Sequence, residues 1–116
     1  RKPSYPQGVD VQIFTYKSLK YVADNIFDPA VREHVSLFFY ENPKQYSIFH
    51  MMATPDICRP ELRLQLDYSE DLALLNHIYS FFGDDHSFKT REVLDYLDNN
   101  PLLLELNKHC LEKSPR

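Results

Sequence analysis

Glycine is nearly missing from this chain: Gly8 and Gly83 are the two among 116 residues. A loop that wraps a phosphate in successive backbone N–H groups needs several glycines close together, so these residues build no nucleotide cradle of that kind by themselves. Cysteine is just as scarce. Cys58 and Cys110 are too few for a disulfide scaffold, and they lack the close Cys or His spacing of a zinc motif, so a reducing, cytoplasmic setting is expected. There is no tryptophan and no basic run, and 13 Lys and Arg against 17 Asp and Glu give a formal net charge of -4. That charge pattern excludes the electrostatic footprint of a nucleic-acid binder, and nucleic acid is not an expected partner. No apolar stretch approaches the ~20 residues of a membrane span, and the first residues carry no apolar secretory core. No membrane association is expected.

What is present is a chain 43% hydrophobic, enough for one domain over residues 1–116. Residues 1–8, "RKPSYPQG", read as a loop or a cut end. In "VDVQIF" the residues Val9, Val11 and Ile13 alternate with Asp10 and Gln12, the period of a strand with one covered face. "TYKSLKYVADNI" then spaces Leu19, Val22, Ala23 and Ile26 as a helix does, after a Thr15 cap. Asp28 and Pro29 start a second helix running to about Glu41, where Pro43 stops it. "YSIFHMMA" and "LRLQL" read as further strands, with Leu62, Leu64 and Leu66 aligned in the latter. "SEDLALLNHIYSFF" is a strongly amphipathic helix, and "TREVLDYLDNN" and "PLLLELNKHCLEK" form a closing helical pair before a frayed tail at 113–116. The expected fold class is α/β: a partial sheet of about three strands, flanking helices and a C-terminal helical pair.

Asp67 is the sharpest candidate for chemistry. It sits just past a predicted strand, where ligands bind in open α/β sheets and where a carboxylate can hold Mg²⁺ on a substrate phosphate. Asp71 is a weaker metal candidate, because Ser69 as a cap and Glu70 and Asp71 as first-turn acids also suit a helix start without any function. Arg32, Glu33 and His34 stand side by side about one turn into a helix, where successive residues fan out by ~100° and cannot all face solvent. A binding role for Arg32 or His34 competes there with a plain one, in which Glu33 complements the helix dipole and Arg32 pairs with an acid. Asp10 reads as a solvent-side acid of the first strand, and His50 as a hydrogen-bonded core histidine. No catalytic set can be picked out from residue order, since such sets are spatial.

Taken in order, "YPQGVDVQIFTYKSL", "DPAVREHVSLFFYENP", "LRLQLDYSEDLALLNHIY" and "NNPLLLELNKH" resemble the later half of the cytidylyltransferase family that makes CMP-activated acidic sugars. The resemblance is nearest to the CMP-octulosonate and acylneuraminate type and its spore-coat polysaccharide branch, and it covers nearly the whole chain. It implies the C-terminal portion of a nucleotide-diphospho-sugar transferase-like fold, and a reaction in which a sugar hydroxyl attacks the α-phosphorus of CTP and releases pyrophosphate. CTP, an acidic sugar and a second copy of the chain are the implied partners, and Mg²⁺ the implied cofactor of the complete enzyme. Asp67 would be a metal ligand; Arg32, Glu33 and His34, with Asp10 of the Gly-hydrophobic-Asp strand, would border the sugar pocket or the dimer contact. Three departures accompany the likeness. The family's Gly-, Ser- and Arg-rich nucleotide loop is absent, which implies a C-terminal fragment inactive alone. Tyr68-Ser69 replaces Thr-Pro in the metal motif, and Gln65 stands where the sialic-acid branch has a second Asp. The alternative is a dimerisation or interaction module, with Phe38, Phe39 and Tyr40 as surface candidates.

Overall fold

The computed structural model describes residues 3–112 and 114, and these are helical. The elements are α1 (Tyr16–Asn25), α2 (Pro29–Glu33), α3 (Ser36–Glu41), a 3-10 turn at Pro55–Ile57, α4 (Ser69–Phe82), α5 (Thr90–Asn99) and a 3-10 segment at Pro101–Leu106. Local side-chain chemistry sets the first starts. Thr15 Oγ1 accepts from the Ser18 N–H at 3.1 Å, and Asp28 Oδ1 from the Ala30 N–H at 2.9 Å, with Pro29 in the first turn where its missing N–H costs nothing. The helix expected from Pro29 to Glu41 is interrupted at His34 and Val35, both weak helix formers. Beyond the break, Phe39 stacks on Phe14 with ring centroids 5.3 Å apart and meets Tyr46 edge-on at 4.8 Å.

The α/β expectation is overturned. Among the described residues there is no strand and no sheet; the β-pairing is one isolated parallel bridge between Gln7 and Arg63. It consists of Gln7 N–H to Leu62 O and Leu64 N–H to Gln7 O, each 2.8 Å. Segments 9–14, 46–53 and 62–66 therefore form no three-stranded sheet, and the transferase-like arrangement implied by the resemblance is not what these residues adopt. Alternation says which side chains would share a face, but a strand exists only through hydrogen bonds to a neighbour. Val11 and Ile13, the covered face expected of the first strand, are 82% and 91% exposed.

The chain divides into two compact units. The larger takes residues 3–10 and 51–111, and its core is Leu62, Leu74, Ile78, Val93, Leu94 and Leu97. Helical spacing on α4 and α5 delivers Leu74, Ile78, Val93, Leu94 and Leu97 to one cluster, Leu62 joins it from the segment before α4, and Leu103, Leu104 and Leu106 of the 3-10 segment pack against it. The final helix expected after Asn100 and Pro101 is that 3-10 segment, not an α-helix. The opening stretch is a loop from residue 3, but an anchored one: Ser4 is buried and its Oγ accepts from the Ala53 N–H at 2.9 Å. Gly8 has φ +94°, and a Cβ there would lie 2.8 Å from Leu64 O and from Gln65 N, so the backbones pass too closely for any side chain. The smaller unit takes residues 11–50 with Glu112 and Ser114, around Val22, Val31 and Phe39. Phe39 is buried, Phe38 half-buried and Tyr40 exposed. Residues 1 and 2 and, Ser114 apart, the tail expected at 113–116 lie outside the described residues. Among the described residues no helix is long and apolar enough to cross a membrane.

Leu97→Ala, at a site with no exposed surface, should cost about 2–5 kcal/mol in urea unfolding. Gly8→Ala should destabilise by more than about 1 kcal/mol through backbone strain. Unfolding of the glycine variant at the parent's urea midpoint would rule out the close approach.

Candidate functional site

The site grows from the first turn of α4, whose leading N–H groups need acceptors. Asp71, in that turn, turns its carboxylate back onto the residues just ahead of the helix: Oδ2 accepts from the backbone N–H groups of Asp67 and of Tyr68 at the cap position, both at 2.9 Å. Arg63, from the preceding extended segment, reaches the same carboxylate with two donors, Nε to Oδ1 at 2.8 Å and Nη2 to Oδ2 at 2.9 Å. This two-pronged geometry is the strong form of a guanidinium–carboxylate pair. Asn107, just past the 3-10 segment, closes the cluster by donating Nδ2 to Asp71 Oδ1 at 2.9 Å and to the Arg63 carbonyl at 3.1 Å.

Asp71 has no exposed surface, and Arg63 and Asn107 are 5% and 3% exposed. The Arg63 hydrogen bonds hold the Asp71 carboxyl far below the usual carboxylate range, outweighing a burial that acts the other way, and Asp71 in turn raises the guanidinium. Arg63 Nη1 is buried without a hydrogen-bond partner among the described residues. The guanidinium carbon lies 5.4 Å from the centroid of the Tyr68 ring, within cation–π range.

Asp71 is thus consumed by structure, whereas Asp67 is not. Its side chain is 35% exposed, and Oδ2 takes Arg63 Nη2 at 3.2 Å and Gln65 Nε2 at 3.4 Å. Oδ1 has no hydrogen bond among the described residues. Asp10, also in the larger unit, is exposed. Arg32, Glu33 and His34 belong to the smaller unit and are exposed; Arg32 Nη1 donates to the Ala23 carbonyl at 2.9 Å, and His34 Nε2 lies 3.7 Å from Glu33 Oε1. His50 is an exposed ring stacked on Tyr40 at 6.5 Å and not a core histidine.

Sequence reasoning missed a second group of residues. A cavity of about 290 Å³ is lined by Tyr68, Glu70, His109, Cys110 and Leu111. Within it one side-chain donor atom each from Glu70, His109 and Cys110 lies within 4.8 Å of the others. Glu70 was legible only as a helix-start acid, and nothing in residue spacing links it to His109 and Cys110.

No protein-family profile matches the chain, and no solved structure matches it. Among curated proteins it is similar to the uncharacterized protein MJ1063 of Methanocaldococcus jannaschii, at 29% identity over 109 residues, which is 94% of this chain and 44% of that protein. The chain spans less than half the length of this relative.

Removing one member of the buried pair, by Arg63→Met or Asp71→Leu, should cost about 3–5 kcal/mol, because the other charge stays buried and unpaired. The double variant should recover much of that loss in urea unfolding. Because the folded-state pKa of Asp71 is depressed, its contribution is complete above the ordinary carboxylate range and is lost as pH falls below it. Parent stability should therefore drop on acidification below about pH 4, and the double variant's should drop less. Equal acid sensitivity would remove Asp71 as the source.

Proposed function

We propose that this chain is the sugar-side part of a sugar-activating cytidylyltransferase, which joins CMP from CTP to an acidic sugar and releases pyrophosphate in surface polysaccharide synthesis. Four motifs in family order along the chain support the reading. The observation that carries it is the Asp67 carboxylate, anchored through Oδ2 by Arg63, while Oδ1 has no hydrogen bond among the described residues.

One such oxygen fits Mg²⁺, a hard cation bound by one or two carboxylates together with substrate phosphates. Asp71 does not fit, because Arg63, Asn107 and two backbone N–H groups occupy both its oxygens. Bound Mg²⁺ would supply charge neutralisation on the phosphates. The chain's own residues position and bind: in the larger unit Arg63 fixes the Asp67 carboxylate, while Arg32 and His34 of the smaller unit would, by the resemblance, border the sugar pocket or the dimer contact. A nucleotide cradle would come from residues outside this stretch, and a second copy of the chain would complete the pocket.

In the full-length protein, Asp67→Ala should lower Mg²⁺-dependent pyrophosphate release from CTP and an acidic sugar by about 10²-fold or more. Unchanged turnover would sink the metal role, and no CTP-dependent release by the parent with any acidic sugar would sink the function. A second reading, an assembly module, is favoured by Val11 and Ile13, almost fully exposed on an extended stretch. Light scattering at high concentration should then give a dimer; a monomer counts against it.

A further inference from the structure

The cavity beside α4 gathers three side chains that the proposed transfer reaction does not use. Glu70 comes from the first turn of α4, and His109 and Cys110 from the stretch after the 3-10 segment. We infer that Glu70, His109 and Cys110 form a binding site for a single divalent transition ion of the Zn²⁺ kind, with the adjoining cavity open for a fourth ligand.

The donor set selects the ion. A thiolate, an imidazole and a carboxylate together suit borderline-soft Zn²⁺ or Co²⁺, whereas Mg²⁺ and Ca²⁺ take oxygen donors. Around a tetrahedral zinc the ligand atoms stand about 3.3–3.6 Å apart. Here the three donors lie within 4.8 Å of one another, so a rotation of the exposed His109 and a small movement of Glu70 would close the set. Three protein ligands and an open position is the arrangement of zinc sites that admit water or a substrate group.

A chance surface trio would not be braced as this one is. Glu70 precedes Asp71, which has no exposed surface and is fixed by Arg63. The opposite side is held by Asn107, whose side chain donates to Asp71 and to the Arg63 carbonyl, while the Cys110 N–H closes a turn on the Asn107 carbonyl at 3.0 Å. One buried cluster therefore fixes the backbone on both sides of the cavity, which is the supporting shell that a metal site needs. Burial, together with the Asp71 and Glu70 carboxylates, pushes the Cys110 thiol up, so the metal-free group carries its proton. On binding, the S–H proton leaves to solvent as the metal–sulfur bond forms, with no change of oxidation state.

The inference is independent of the cytidylyltransferase reading and is tested without any activity assay. The chain is titrated with Co²⁺ alone, the thiolate-to-cobalt charge-transfer band is recorded, and Zn²⁺ and then excess Mg²⁺ are added in competition. The expected result is one Co²⁺ per chain, displaced by Zn²⁺ and not by Mg²⁺. The band should vanish in Cys110→Ser and persist in Cys58→Ser, which changes the other, exposed thiol. His109→Gln and Glu70→Gln should weaken binding by at least about tenfold, with circular dichroism unchanged. Absence of the band in the parent, its survival in Cys110→Ser, its loss in Cys58→Ser, displacement by Mg²⁺, or parent affinity in both His109→Gln and Glu70→Gln would overturn the site.

Discussion

The larger unit depends on one buried ion pair, Arg63 with Asp71. Taking two such charges out of water costs several kcal/mol each, and a well-packed apolar pair can stabilise a core equally well. What an apolar pair does not do is fix direction. The Asp71 carboxylate accepts from two Arg63 nitrogens, from Asn107 and from the N–H groups of Asp67 and Tyr68, so its oxygens are committed along defined lines. Three separate pieces of chain meet there: the extended segment before α4, the first turn of α4, and the residues after the 3-10 segment. The leucines around them supply most of the burial, but leucine contacts tolerate rotation and sliding. The carboxylate decides how the pieces are set against each other.

This accounts for what the sequence revealed and what it hid. Thr15 and Asp28 were legible because a cap is decided within three residues, and α4 and α5 because an apolar stripe at helical spacing needs no distant partner to be recognised. The strands were misread because alternation is also local, whereas the ladder that makes a strand is not. In "LRLQL" the reading rested on Leu62, Leu64 and Leu66 sharing one strand face, and Arg63 between them drew no attention. In fact Leu66 is 57% exposed and Arg63 only 5%, so the cation is the inward residue. An arginine is placed inward only by a partner, and that partner, Asp71, lay across a turn in a position equally natural for a helix-dipole acid. Asp71 had a sufficient local explanation as a first-turn acid, and nothing in residue order tied it to Arg63.

The candidate site shows the same division of labour between neighbouring acids. Asp67 and Asp71 look alike in sequence, yet one is a strut and the other presents an oxygen. Arg63 stands 3.2 Å from Asp67, which at first sight argues against a cation there. The local sum does not: one guanidinium against two carboxylates leaves a net negative charge, and most of the guanidinium's hydrogen bonding is directed at Asp71. The net charge around Asp67 Oδ1 is therefore compatible with the proposed cation, and the carboxylate is held by a residue that cannot lose its proton near neutral pH.

The two proposed cation sites thus share one strut. Just before Asp71 in sequence is Asp67, the oxygen donor proposed above for a hard ion on phosphate. Glu70, between them in sequence, lies with His109 and Cys110, across the Asn107 link, in the set inferred above for a softer ion. Ligand chemistry, not proximity, keeps such sites distinct, because Mg²⁺ gains little from a thiolate and Zn²⁺ is held weakly by a lone carboxylate. The shared strut makes their geometry common even where their ions differ. A change at Cys110 removes one donor from one site, whereas a change at Arg63 loosens the frame from which Asp67 and Glu70 both project.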